Sequence, residues 1–277
     1  MCKDKNMEKN LIEKIIYDLY ETFPGNWVEE ELALSPEAAG IRFFEKPLVG
    51  IGAADDPLFE KLRSEEVVVS WYMMPDEWLC GAKSVISMFF PFTEEVRKAN
   101  GQCREMPAHA WLHGRIEGQN YLEELLEEFC RKLNELGLRT CLPTTDNRLR
   151  AVMDGARSGS NWSERHTAYI CGLGTFGMSN GLITEKGIAG RFISVITDGD
   201  ILADTRPYTE IFEYCNGCGA CIRRCPAGSI TREDGNGKIK CSEHNDKVYD
   251  KYYPRYGCGL CQTRVPCESR IPPKINR

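Results

Sequence analysis

The chain of 277 residues has no apolar run approaching the roughly 18 residues that a membrane-crossing helix needs. Its first residues, MCKDKNMEKN, are polar, with neither a signal-peptide apolar region nor a twin-arginine pair. No membrane is therefore expected, and the cytoplasm is the expected compartment. Histidine is scarce: His109, His113, His166 and His244 share no zinc-ligand spacing. Each reads as a surface or capped side chain, although His113 or His166 could approach a cofactor. There is no internal repeat and no low-complexity segment. The composition, 42% hydrophobic and 27% charged, is that of a globular protein rather than a disordered one.

Cysteine is abundant, with 14 in the chain. A reducing compartment excludes a disulfide framework, so the distribution carries the meaning. Six are scattered (Cys2, Cys80, Cys103, Cys130, Cys141 and Cys171) and read as small buried hydrophobes. Eight lie in the last 63 residues. Cys215, Cys218, Cys221 and Cys225 form C-x2-C-x2-C-x3-C, followed by Pro226, and Cys258-x2-Cys261-x5-Cys267 follows with Cys241 ahead of it. Thiolates select zinc or iron–sulfur clusters. Zinc sites use C-x2-C pairs a dozen or more residues apart; a tight run of three, with the fourth thiol set off, is the bacterial ferredoxin pattern, in which the fourth thiol serves a second cluster. Two [4Fe-4S] clusters are expected, one on Cys215, Cys218, Cys221 and Cys267, the other on Cys225, Cys241, Cys258 and Cys261. Exchange of Cys241 and Cys267 stays open, as do two zinc sites. Pro226 fixes the backbone after the fourth thiol, and Gly217, Gly219, Gly257 and Gly259 allow a close approach to sulfur.

Charge is divided unevenly. Residues 1–214 carry 23 cationic and 35 anionic side chains, a net −12, whereas residues 215–277 carry 12 and 6, a net +6. A basic tail suits nucleic acid or an acidic partner; offsetting the charge of about −2 on each cluster with its four thiolates is the preferred account.

Residues 8–23 place Leu11, Ile12, Ile15, Ile16, Leu19 and Tyr20 on one helical face, ended by Pro24-Gly25. Residues 119–136 form a second helix, stopped by Gly137. EEVVVSW (65–71), KSVISMFF (83–90) and LRTCLP (138–143) read as strands, and residues 161–170 as a helix with Asn161 as N-cap. GLITEKGIAGRFISVITD (181–198) reads as a hairpin about Glu185-Lys186-Gly187. Strands and helices mix without strict alternation, so the expected fold is α+β: a mixed α/β core over 1–209, holding a corrinoid or substrate, then a small ferredoxin-like bis-[4Fe-4S] module over 210–277. The tail is short of periodic apolar residues and needs metal to fold.

The order ERHTAYICGLGTFG, then VITD, CNGCGACIRRCP, Cys241 and GCGLC resembles the epoxyqueuosine reductases and the related corrinoid reductive dehalogenases, from about Cys80 to Cys267 and most sharply over 164–226. WLHGRIEGQNY sits where that family has an Arg-Gly stretch before a long helix. The resemblance implies an α/β core that binds cobalamin, fed with electrons by two [4Fe-4S] clusters. It implies that the loop of Gly172, Gly174 and Gly177 lies near the corrinoid. It also implies a catalytic carboxylate upstream, for which Asp154 is nearest only across a gap. A tRNA-holding helical extension follows the clusters in the family; this sequence ends ten residues after Cys267 and is acidic overall, so tRNA is not an expected partner.

GLGTFG matches G-x-G-x-x-G literally, but a helix rather than a strand precedes it, which disfavours NAD; a tight turn is its plain reading. Trp71, Trp78, Trp111 and Trp162 suit core packing before a ligand pocket. The carboxylates of YLEELLEEFCRKLNE read as a solvated face. The function expected is an iron–sulfur oxidoreductase passing single electrons to a corrinoid or small substrate, supplied by a reduced ferredoxin or flavodoxin-type donor. The alternative is a non-catalytic electron carrier docking on a corrinoid protein. The weakest is reduction of epoxyqueuosine-tRNA.

Overall fold

A computed structural model describes residues 6–154, 157–233 and 235–274. At its centre is an antiparallel sheet of four strands: β1 (Leu48–Ala53), β2 (Ser84–Pro91), β3 (Thr140–Cys141) and a long partner, β8 (Gly190–Thr197), in the order β1-β2-β8-β3. Every residue of β2 is buried, so both faces of the sheet are covered. On one face Ile86, Met88, Phe90, Ile193 and Val195 pack on α1 (Lys9–Thr22) and α3 (His109–Glu135). On the other, Val85 and Ile196 meet Phe59, Tyr72, Trp78, Trp162 and Ile170. Pleat alternation within β2 and β8 thus feeds two separate cores.

Between α3 and β8 the chain forms a hairpin of β4 (Ala151–Asp154) and β5 (Arg157–Ser160), then α4 (Glu164–Ile170), then the pair β6 (Gly174–Phe176) and β7 (Leu182–Thr184). The end of α4 lies directly on β1: a Cβ on Gly50 would stand 2.4 Å from the Cys171 carbonyl oxygen. This contact sets the height of α4 above the sheet.

Several expectations change. Residues 65–71 form turns, not a strand. Glu65 explains it, because its carboxylate accepts from the Ser70 amide at 2.8 Å and ties the backbone locally. Only Val69 of the three valines is buried, and Val67 is 44% exposed. Residues 181–198 do make two strands around the Glu185–Gly187 turn, but not a hairpin: β7 pairs with β6, and β8 joins the central sheet. Asn161 caps no helix. Ser163 stands at the N-cap of α4, and Asn161 instead accepts from the Arg150 amide at 2.8 Å and donates to the Arg148 carbonyl at 2.9 Å. α3 begins ten residues earlier than 119. Leu11 faces solvent, which narrows the apolar face of α1. Of the scattered cysteines only Cys171 is fully buried; Cys80 is exposed, Cys103, Cys130 and Cys141 are half-buried, and Cys2 lies outside the described residues.

The cysteine-rich segment is small and leans on the core. It holds α5 (Ala220–Arg224), α6 (Lys238–Tyr252) and a two-strand pairing of Ile230–Thr231 with Gly235–Asn236. Arg224, between the third and fourth thiols, forms the seam. Its Nη1 donates to the Cys103 carbonyl at 2.8 Å, Nη2 to the Asn100 carbonyl at 3.3 Å, and Nε to the Thr263 carbonyl at 3.1 Å. Asn100, fully buried at the end of α2 (Glu94–Gln102), donates from Nδ2 to the Cys258 carbonyl at 3.4 Å and to Thr263 Oγ1 at 3.3 Å. One guanidinium thereby satisfies carbonyls from both sides of the junction. Arg224→Ala removes these charge-assisted bonds and is expected to lower stability by about 2–4 kcal/mol. Thermal unfolding of the iron-loaded protein, with iron per chain measured alongside, checks this; an unchanged midpoint refutes it.

Candidate iron–sulfur centre and adjoining cavity

The eight clustered cysteines surround two separate cavities. Cys225, Cys241, Cys258 and Cys261 line the larger, of about 780 Å³; Cys215, Cys218, Cys221 and Cys267 line the smaller. The thiols of each set act chiefly on one another, with Cys221 also acting across on Cys261. Burial, then Cys215, Cys221 and Cys218, pushes the Cys267 thiol up to about 12. Burial also pushes Cys258 up to about 12, with Cys241 and Cys225 adding to it. Among the described residues no three His, Cys, Asp or Glu side chains converge on a single-ion site; the thiols instead ring open space. Soft donors in two groups of four, enclosed and spaced around a room, fit [4Fe-4S] clusters.

Local structure explains the placement. Cys-Gly-x-Cys occurs twice, at 218–221 and 258–261, and each time the glycine is left-handed (Gly219 φ +67°, Gly259 φ +61°) and starts a short helical turn. Gly259 is constrained further by the core, since a Cβ there would lie 1.9 Å from the buried Trp111 ring. The long gap before Cys267 lets the chain return to the core, where the Ile188 amide donates to the Cys267 carbonyl at 2.9 Å. Cys241 rides on α6, one turn before Asn245. Asn245 Nδ2 lies 3.8 Å from Cys241 Sγ, and its Oδ1 accepts from the Cys258 amide at 3.0 Å. The Ser229 amide donates to Cys225 Sγ at 3.4 Å. Such donors orient the ligands and tune a cluster.

Across the larger cavity from these thiols stands the core. Phe92, Trp111, Trp162 and Phe192 form apolar walls; Glu164, Arg165, Arg115 and Lys238 supply charge. Glu164 was not singled out from the sequence, and its one signal, an acid at a helix start, is commonplace. It accepts from Thr144 Oγ1 at 3.2 Å, while its Oε2 is buried without a hydrogen-bond partner. Burial raises its pKa to about 7, against hydrogen bonding from Ser194, Thr144 and Trp162.

Other expected site residues lie elsewhere. Gly177 lines the smaller cavity. Gly172, with φ +82°, sits against Asp204 to Arg206, and a Cβ on Gly174 would be 2.0 Å from the Ile183 carbonyl oxygen, so both are positions of tight turn and strand contact. Asp154 ends β4, and its side chain lies outside the described residues. His113 is neither at the surface nor at the cavity. It is fully buried, with Nε2 accepting from the Leu34 amide at 3.0 Å. His166 contacts Ser163 Oγ at 2.7 Å, and burial lowers its pKa to about 4. His244 lines the cavity. Trp78 is core, as expected, while Trp71 is 39% exposed.

Two groups of four thiols beside a mixed core are the donor set of an iron–sulfur protein. A model described as "4Fe-4S binding domain" matches residues 208–231, so cluster binding is a property of this chain. More particularly, the chain is similar to epoxyqueuosine reductases. The enzyme of that name from Atelocyanobacterium thalassa is 24% identical over 219 residues, covering 73% of this chain and 63% of its own. The one from Bacillus cereus is 25% identical over 218 residues, covering 69% and 50%. The chain thus spans a half to just under two thirds of these curated relatives. In fold it resembles an epoxyqueuosine reductase solved with an epoxyqueuosine-modified tRNA-Tyr stem loop (TM-score 0.56, 18% identity, 94% of this chain and 65% of that one). It also resembles a catabolic reductive dehalogenase (TM-score 0.53, 15% identity, 81% and 30%). The α+β core with a ferredoxin-like module and the resemblance to this group are both borne out. Among the described residues no helix is long and apolar enough to cross a membrane.

Two outcomes follow. Gly259→Ala forces a Cβ into Trp111 and strains the left-handed backbone, at an expected cost of about 2–4 kcal/mol; denaturant unfolding of the iron-loaded variant measures it. Glu164 has its folded pKa raised, so it favours the folded state fully only below the carboxyl's usual range near 4.5. That advantage is lost as pH rises towards about 7, by on the order of 3 kcal/mol. Stability curves from pH 4 to 8 are expected to fall more steeply for the native protein than for Glu164→Gln; parallel curves refute it.

Proposed function

We propose that the protein is an iron–sulfur reductase whose substrate is reduced in the cavity between the core and the cysteine-rich segment. The observation that carries this is the composition of that cavity: one thiol tetrad, a buried carboxyl of near-neutral pKa and aromatic walls face the same space. Cys215, Cys218, Cys221 and Cys267 would hold one [4Fe-4S] cluster, and Cys225, Cys241, Cys258 and Cys261 the other. A cavity of about 780 Å³ with Trp111, Trp162, Phe92 and Phe192 in its walls also suits a flat macrocycle, in keeping with the corrinoid of the resembling family. When bound, the clusters supply single electrons and a corrinoid supplies a reducible metal centre. The chain's own residues then have plain tasks. The tetrads fix the electron source, the aromatic walls exclude water, and Glu164 holds a proton on its buried carboxyl up to about neutral pH. Electrons would enter from a reduced ferredoxin or flavodoxin-type donor.

The names of the relatives favour the reading ranked last on sequence, reduction of an epoxide on a tRNA-borne nucleoside, and weigh against leaving tRNA aside. A purely electron-carrying role explains neither the enclosed carboxyl nor the size of the cavity.

Anaerobic reconstitution is expected to give about eight irons per chain, falling to about four in Cys261→Ser and in Cys267→Ser. Stoichiometric zinc in a colourless protein overturns the cluster reading. Titration with cobalamin is expected to saturate near 1:1, and its failure removes the corrinoid. Binding of an unmodified tRNA anticodon stem loop at low salt supports the nucleoside reading, and its absence disposes of it.

A further inference from the structure

Trp111 carries a buried donor that no group of the protein answers. It stands in the first turn of α3 with 2% of its surface exposed, and its ring centre lies 4.6 Å from that of Phe92. Its Nε1 is screened from solvent and, among the described residues, meets no acceptor. Trp162, the other tryptophan lining the large cavity, differs, because its Nε1 donates to Ser194 Oγ at 3.0 Å. A buried N–H left unbonded costs about 1–3 kcal/mol.

The indole edge that bears this donor lies on the loop joining two thiols of one tetrad. A Cβ on Gly259 would stand 2.4 Å from Nε1, 2.0 Å from Cε2 and 1.9 Å from Cζ2 of Trp111. Cys258 precedes that glycine and Cys261 follows it by two residues, and all three line the large cavity with Trp111. The loop is held in place: Gly259 is left-handed and Leu260 is fully buried. Its carbonyls are already taken. That of Cys258 accepts from Asn100 Nδ2 at 3.4 Å, that of Gly259 from the Gln262 amide at 2.9 Å, and that of Leu260 from Arg224 Nε at 3.3 Å. The acceptors left beside the indole are sulfurs.

We propose that the Trp111 indole N–H donates to a sulfur, thiolate or sulfide, of the cluster held by Cys225, Cys241, Cys258 and Cys261, and raises the reduction potential of that cluster. The proposal rests on the reading of this tetrad as a cluster. A hydrogen bond to sulfur favours the more negative, reduced state, and it acts most strongly where water is excluded. Trp111 thus makes the cluster beside the cavity easier to reduce.

The test uses the anaerobic, iron-loaded protein from cells supplied with 15N-indole, which labels only the ring nitrogen of tryptophan. Electron–nuclear double resonance on the reduced native protein is expected to show a 15N nucleus coupled to the cluster spin. The same coupling is expected in Cys267→Ser, which keeps this cluster alone, and is expected to vanish in Trp111→Phe, which keeps an aromatic ring without the donor. In an EPR-monitored redox titration, Trp111→Phe is expected to lower the ratio of reduced to oxidised cluster at a fixed potential by roughly three- to tenfold, a tenfold change being 59 mV for one electron. No 15N coupling in the reduced native protein overturns the proposal, whether or not the phenylalanine variant holds its iron. So does an unchanged ratio in a variant that keeps its iron. Zinc in place of iron removes the cluster reading and this contact with it. Coupling in a protein that binds neither cobalamin nor tRNA leaves the contact standing while the function reading fails; cobalamin or tRNA binding without coupling leaves the function and removes the contact.

Discussion

Everything in the cysteine-rich segment depends on its seam with the core, and the seam turns on Arg224. The segment has little apolar surface of its own: α6 runs fifteen residues, from Lys238 to Tyr252, with only Val248 fully buried. Such a chain cannot hold eight thiols in place by packing. Arg224 supplies an alternative, because one guanidinium answers carbonyls at Asn100, Cys103 and Thr263 at once. Asn100 repeats the device from the other side. The two tetrads are thereby set against a core that is already rigid.

That anchoring gives the large cavity two kinds of wall. One is supplied by Cys225, Cys241, Cys258 and Cys261, the other by α3, α4 and β8 of the core. Neither part alone encloses the space. Glu164 draws its near-neutral pKa from its burial at this junction. A thiol tetrad, the buried Oε2 of Glu164 and aromatic walls thus line one cavity.

The parts legible beforehand were those governed by local rules. α1 and most of α3 follow from apolar periodicity in EKNLIEKIIYDLYETF and QNYLEELLEEFCRKLNEL, and β2 from the β-branched and aromatic run KSVISMFF. Valines at 67–69 misled, because a side-chain bond from Glu65 outweighed β propensity. α6 gave no periodic signal, since thiol placement and Asn245 rather than an apolar face position it. The Gly172-to-Gly177 run, read plainly as a tight turn and by resemblance as a loop near a corrinoid, has Gly172 in a turn and Gly174 at a strand contact.

Cysteine number and spacing by themselves favoured clusters over zinc, because thiol chemistry and a tight run of three with a fourth set off restrict the partner whatever surrounds them. They also pointed to the division into two tetrads. Tertiary structure alone decided what faces those thiols. Glu164 is an ordinary charged residue at a helix start, indistinguishable in sequence from a solvated one. It acquires altered energetics only where the surrounding elements leave its Oε2 buried, since the cost of a charge depends on its surroundings and not on its neighbours in the chain.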